Sequence, residues 1–313
     1  MSTEVRAGNP TGPEPGDDVD DDGALAVGAE AVARSQWQLF RRRFLRHKLA
    51  MTGLVILATM FVLCFGARWI APYPKNNQDL LSDPVGPGRD HLFGQDELGR
   101  DYFTEVLYAG QISLKIGLAV AVLSTALGAT LGSVAGYFGR AYDLILMRIT
   151  DMFLLVPGVA LLAVAFRKFG QSDLAIIVVL TGIGWMLVAR VVRGQVLSLR
   201  DREFVDAAKV AGASPFRIIF RHLIPNMVGP IAVNATLSMV GAILAESTLS
   251  FLGFGIQPPD TSWGNLLAQN RGYLGLSKAY LLYFPSIAIV LAVLAISFVG
   301  DGLRDAFDPE SQR

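Results

Sequence analysis

The sequence predicts an all-α, polytopic membrane fold, a bundle of six transmembrane helices. Three observations predict it. Only 17% of the 313 residues are charged, against about a quarter in a soluble domain. The apolar residues gather in runs of roughly twenty, the length that crosses about 30 Å of hydrocarbon as a helix. Lysines and arginines then concentrate in alternate connections between the runs, the charge bias that orients membrane proteins.

Residues 1–34 are rich in Gly, Pro, Ala and Asp, with an acidic run of Asp17, Asp18, Asp20, Asp21 and Asp22. Such a segment buries too little apolar surface to offset its ordering entropy and reads as a disordered cytoplasmic tail. The first apolar run comes too late for a secretory signal. Segment 35–48 is basic and juxtamembrane, carrying Arg41, Arg42, Arg43, Arg46 and Lys48. The remainder, 49–313, is the six-helix membrane domain, with runs at 49–70, 116–137, 144–166, 174–192, 227–249 and 281–299. In the third run, Arg148 and Asp151 shorten the apolar part, and Pro157 predicts a bend.

With the amino terminus inside, the inner connections hold about twice the cations of the outer ones. Arg190, Arg193, Arg200, Arg202, Lys209, Arg217 and Arg221 form the largest group. Both termini are therefore expected to be cytoplasmic, with long external segments at 72–110 and 252–280. Cys64 is the only cysteine; no intrachain disulfide can form, and a small buried side chain is expected. In the second run Ser124, Gly128, Gly132 and Gly136 recur every four residues along one face. Such a seam lets two backbones approach closely. A partner helix in this chain and one in a second subunit both fit it.

Glu246 sits in the fifth run, where a carboxylate at mid-helix costs on the order of 2.5–3.5 kcal/mol on insertion scales. It must face protein or a watery path, as a structural hydrogen-bonder or a substrate contact. Ala235, Met239, Ala242 and Glu246 share one helical face and are the expected pathway residues.

Segment 201–225 is too polar to span and too regular for a slack loop. Phe204, Ala207, Ala208 and Ala211 fall at i, i+3, i+4 and i+7, a stripe of one large and three small side chains. Gly212 suits the left-handed position after a helix, and Ser214-Pro215 starts a second one. A short helix presenting an aromatic knob on a flat bed suits a groove in a rigid partner; lying on the lipid surface is the other reading.

Here the chain resembles a known family. Asp206-Ala207-Ala208, Gly212 and Ile224-Pro225 are similar to the EAA loop of ABC-importer permease subunits, with Asp206 for the usual Glu, His222 for a common Ile and Ile224 for Leu. The stretch from His91 to Asp101, HLFGQDELGRD, resembles the external segment of dipeptide/oligopeptide-type permeases of the second subunit class. So does Ala245 to Gly255, AESTLSFLGFG, with Pro258-Pro259 and Ser262-Trp263-Gly264 after it.

The resemblance spans residues 36–308. It implies an ABC-importer-permease bundle forming half of a translocation pathway, with a coupling loop at 193–225 and with Phe204, Asp206, Ala207, Ala208 and Gly212 as the ATPase-coupling residues. It also implies a second homologous permease subunit, two ATP-binding domains, an extracytoplasmic solute-binding protein received by the external segments, and a first span that peels away to embrace the partner subunit. Peptides are the expected cargo; nickel or another small solute is the alternative.

No GxxxxGK[ST] phosphate loop is present, so ATP and Mg are assigned to partner subunits and no cofactor to this chain. His47, His91 and His222 lack metal-ligand spacing, and no catalytic residue or nucleic-acid surface is predicted. An ion-coupled secondary transporter and a non-transporting membrane anchor are the competing classes. The former usually carries several buried ionisable relays, and Glu246 is the only ionisable group deep in a run. Trp263 fits an interfacial anchor.

Overall fold

The computed structural model describes residues 36–80, 83–155, 158–169, 172–274 and 278–307; the acidic tail and Pro157 lie outside them. The chain divides after Leu39 into a short first unit and a second, Phe40–Arg313. Helix α1 is Gln36–Arg46. The second unit continues with α2 at Lys48–Phe65 and a single turn at Ala67–Ile70. Then follow α3 at Tyr102–Phe138, α4 at Arg140–Leu155, α5 at Gly158–Phe169 and α6 at Asp173–Leu199. Beyond these come α7 at Glu203–Val210, α8 at Pro215–Ile218, α9 at Val228–Phe251, α10 at Trp263–Asn270 and α11 at Tyr280–Phe307.

Among the described residues, α2, α3, α6, α9 and α11 are long and apolar enough to cross a membrane. The third expected span, 144–166, falls on α4 and α5, on either side of the undescribed residues 156 and 157. Two carboxylates of α4 have partners on α6: the Arg193 guanidinium donates to both oxygens of Asp143, and Arg190 Nη2 donates to Asp151 at 2.6 Å. Cations read as topology markers thus also hold α4 against α6.

Helix α3 begins well before residue 116, where the apolar run starts. Asp101 caps it, its Oδ2 accepting from the Thr104 amide at 2.9 Å and from Thr104 Oγ1 at 2.7 Å. Tyr102, Val106 and Ala109 then bury against Trp263, Leu266 and Leu281, so this first stretch is covered by protein. Hydropathy missed it because Glu105, Gln111, Ser113 and Lys115 interrupt the pattern. Helix α6 likewise outruns its apolar stretch, and Arg200 just past its end reaches the Gly136 carbonyl at 3.2 Å.

The small-residue seam packs within the chain, between α3 and α6. A methyl group at Gly128 would lie 2.6 Å from the Trp185 carbonyl oxygen and from Val188 Cβ. At Gly132 it would strike the Ala189 backbone, and at Gly136 it would lie 2.9 Å from Val196 Cβ. Ser124 faces Gly184 across the same seam. On another side of α3, Gly117 admits Ile243 of α9. Gly53 of α2 lies against Ala295 and Phe298 of α11, so α2 packs along its own chain with Leu54, Val55 and Val62 exposed. Cys64 is buried, as its apolar surroundings suggest.

Gly128→Val and Gly132→Val should each destabilise the protein by about 1–3 kcal/mol or more, the cost of overpacking a close contact. Gly182→Ala, with nothing within 4 Å of the added carbon, should leave the unfolding midpoint in detergent unchanged.

Candidate functional site

Helix α7 ends as its sequence predicts. Gly212 has φ +77, and the amides of Gly212 and Ala213 bond back to the Lys209 and Ala208 carbonyls at 2.9 and 3.0 Å. Ser214 Oγ accepts from the Arg217 amide at 3.4 Å and Pro215 opens α8. One wider turn at Ile219–Leu223 and a short turn at Ile224–Asn226 carry the chain into α9.

The two faces of α7 differ from the expected stripe in one respect. Val205 and Ala208 point inward and cluster with Val192, Val196, Ile218, Ile219 and Leu223. Phe204, Ala207 and Ala211 point outward, as do Asp206 and Gly212. Ala208 is therefore an anchoring residue rather than part of the exposed bed. An eight-residue helix cannot hold its shape alone, and Val205 and Ala208 give it a face to bury. Asp206 accepts from Lys209 Nζ at 2.9 Å on the open surface and holds that ammonium above its ordinary pKa. Val210, 90% exposed, Phe216 and Phe220 extend the outward apolar surface. The sequence reading missed these three, although Phe216 and Phe220 stand four apart on one helical face.

A cavity of about 320 Å³ opens between α3, α5, α6 and α9. Ser124, Gly184, Asn234, Ser238, Gly241 and Ala242 contribute to its wall, whose described residues carry no charged side chain. The Ser124 hydroxyl is buried and makes no hydrogen bond. Of the four expected pathway residues, only Ala242 lines this space. Ala235 is half-buried, Met239 packs in the core with Ile243 and Leu114, and Glu246 is wholly interior. The expected face thus turns only Ala242 to this cavity. Helix α9 spends the Met239, Ile243 and Glu246 side on α3 and α10, and turns Asn234, Ser238 and Gly241 to the cavity.

Glu246 is a structural hub. Its Oε1 accepts from Ser250 Oγ at 2.6 Å and its Oε2 from Ser113 Oγ at 3.3 Å. Ser113 Oγ in turn accepts from the Trp263 amide at 3.2 Å, and Ser262 Oγ donates to Ser250 Oγ at 3.4 Å. Three elements, α3, α9 and the start of α10, meet at this carboxylate. Trp263 beside it is 1% exposed and donates Nε1–H to the Val106 carbonyl at 3.0 Å; it is an interior residue, not an interfacial anchor. Gly264 can pass because it has no Cβ to strike the Ser247 backbone.

The described residues around Asp96 are equally well held. Asp96 Oδ1 accepts from the Leu98 and Arg100 amides at 2.9 Å, and its Oδ2 from Arg100 Nε at 2.6 Å. Gly94 and Gly99 take positive φ. His91 Nδ1 lies 2.9 Å from Asp101 Oδ1 and its ring stacks on Tyr73, the role of a loop hydrogen-bonder. Outside the spans, Tyr273 and Lys278 hold the Glu97 carboxyl below its usual range.

Residues 128–313 match the family described as binding-protein-dependent transport system inner membrane component. Residues 35–87 match the N-terminal TM domain of oligopeptide transport permease C. A putative peptide transport system permease protein of Brucella abortus is 42% identical over 278 residues, 89% of this chain and 93% of the relative. The dipeptide transport system permease protein DppC of Bacillus subtilis is 42% identical over 272 residues, 87% of this chain and 85% of its own length. OppC, the oligopeptide permease protein of Haemophilus influenzae, is 39% identical over 281 residues, covering 89% and 90%. Among solved structures, an inward-facing MetNI methionine ABC transporter chain superposes with a TM-score of 0.54 at 21% identity. That match covers 65% of this chain and 96% of the other, and it shows a shared fold.

Replacing Glu246 by Ala strips the buried Ser113 and Ser250 hydroxyls of their acceptor. The expected cost is about 1–3 kcal/mol per orphaned group, read as a lowered unfolding midpoint, with Glu246→Gln retaining most of the stability.

Proposed function

The chain belongs to the binding-protein-dependent transport system inner membrane components, and on that premise we propose that it is a peptide-importer permease that couples through α7. The family places it in the inner membrane as a multi-pass component of an ABC transporter, a class that works with ATPase and solute-binding partners. In our reading it pairs with a second homologous permease chain and rests on two ATP-binding domains, which hold ATP and Mg. An extracytoplasmic binding protein delivers cargo to segments 72–110 and 252–280. Both termini lie in the cytoplasm, a reading supported by the cation-rich side that carries Arg190, Arg193 and Arg200. Dipeptides or oligopeptides are the cargo, on the strength of the oligopeptide-permease match at residues 35–87 and the names of the relatives.

One observation carries the coupling assignment. Phe204, Val210, Phe216 and Phe220 are exposed on a segment fixed from beneath by Val205 and Ala208 and continuous with α9 through the Ile219–Leu223 turn. A push on the exposed side therefore reaches α9 and the cavity wall without being lost in a flexible joint. Phe204 supplies the docking knob and Ala207 the flat ground beside it. Asp206 provides a surface charge, Gly212 the tight exit, and Ala208 the anchor. The pathway half then runs along Ser124, Asn234, Ser238, Gly241 and Ala242.

Phe204→Ala should weaken association with the ATPase subunits by about 2 kcal/mol, roughly thirtyfold, as for an aromatic interface anchor. Ala207→Arg should abolish ATP-dependent uptake while α2 to α11 remain folded. Unchanged uptake by both variants in reconstituted vesicles would refute the coupling role. Cysteines at Ser238 and Gly241 should react with a water-soluble thiol reagent during turnover, and one at Met239 should stay protected. The reverse pattern would restore the face centred on Met239.

A further inference from the structure

Phe40 and Phe44 of the basic helix α1 are held by packing, and among the described residues Arg41, Arg42 and Arg46 form no ion pair. The Phe40 ring lies 4.3 Å from that of Phe307 at the end of α11. Gly302 on α11 approaches Phe44 so closely that an added methyl there would come within 3.3 Å of Phe44 Cε2. His47 stops α1 and caps α2: its Nδ1 accepts from the Ala50 amide at 3.0 Å and its Nε2 lies 3.2 Å from Asp305 Oδ2. Phe40 and Phe44 are therefore spent on α11 and are not free to turn into the membrane.

What faces outward is set by the same packing. Arg41, Arg42, Leu45 and Arg46 stand at i, i+1, i+4 and i+5 on the opposite side, and all four are exposed, as are Lys48 and Leu49. Among the described residues, Arg41, Arg42, Arg46 and Lys48 form no ion pair. The span α2 starts at Lys48, so covalent continuity keeps these four cations within two helical turns or so of the hydrocarbon boundary. The phosphate layer of the membrane occupies that depth. Leu45 and Leu49 add apolar contact just below it, the arrangement in which long basic side chains reach upward to headgroups.

We propose that the outward face of α1 is a binding surface for anionic phospholipid headgroups, with Arg41, Arg42, Arg46 and Lys48 as the phosphate contacts. A row of arginines suits this ligand because each guanidinium can donate two parallel hydrogen bonds to one phosphate. The surface fixes the end of α11 through Phe307 and Phe44, and it orders the entry to α2.

The test uses the assembled transporter in phosphatidylcholine vesicles containing traces of spin-labelled phosphatidylglycerol or spin-labelled phosphatidylcholine. The parent complex should immobilise the anionic lipid preferentially, each cation contributing roughly fivefold, and added salt should erode the preference. The fourfold variant R41Q/R42Q/R46Q/K48Q should lose at least tenfold of it, and the lysine replacements R41K/R42K/R46K should keep most of it. Should the fourfold variant fail to assemble, R42Q alone should lose roughly fivefold. Equal preference in parent and variants overturns the proposal. So does loss of ATPase-subunit association in the variants with the lipid preference intact, which would assign the face to protein.

Discussion

Everything in the membrane part of this chain hangs on how closely α3 and α6 approach. Gly128, Gly132 and Gly136 meet Trp185, Ala189 and Val196 at distances that leave no space for a Cβ. In lipid the hydrophobic effect does not drive helices together, so backbone-to-backbone dispersion contact must do so. Once that seam is set, the other sides of α3 are assigned. Ile243 of α9 fits over Gly117, Trp263 of α10 presses on Gly110, and Arg200 reaches the Gly136 carbonyl near the C-terminal end of α3. The cavity exists because α6 and α9 are held on the same helix without filling the space between them.

The buried carboxylate follows the companion constraint that a costly group in hydrocarbon needs protein partners. Glu246 draws its hydrogen bonds from the hydroxyls of Ser113 and Ser250, so the buried carboxylate becomes a joint between two spans and α10. The arginines of α6 do the same for α4 through Asp143 and Asp151. A residue expensive to place in a membrane thus marks a place where elements are tied together. The same economy explains α7, where two small apolar side chains facing inward hold a short helix and leave Phe204 and its neighbours free for a partner.

Much of this was legible from the residues in order. Runs of apolar length announced α2, α6, α9 and α11. Gly212, Ser214 and Pro215 announced where α7 stops and α8 starts, because a left-handed glycine and an N-cap are local requirements met by local chemistry. The early start of α3 was hidden, since Glu105, Gln111, Ser113 and Lys115 break its hydropathy and are accommodated only by contacts with distant segments. Trp263 gave the wrong signal for a related reason: an indole in an external segment suits a lipid interface and a protein interior equally, and its bond to Val106, far away in sequence, decides between them.

What the sequence determined alone was the membrane class, the spacing of the small residues, the cap and turn chemistry of 201–225 and the motifs that mark the family. Each depends on composition or on residues within a turn or two of one another. Tertiary structure decided which helix fills the glycine seam, which side of α9 faces the cavity, and that Ala208 anchors while Ala207 is free. Helical periodicity places residues on a common face, but it cannot say what that face meets. That choice belongs to packing between segments far apart in the chain, where Met239 and Glu246 are buried against α3 and α10, and Asn234 and Ser238 are left to line open space.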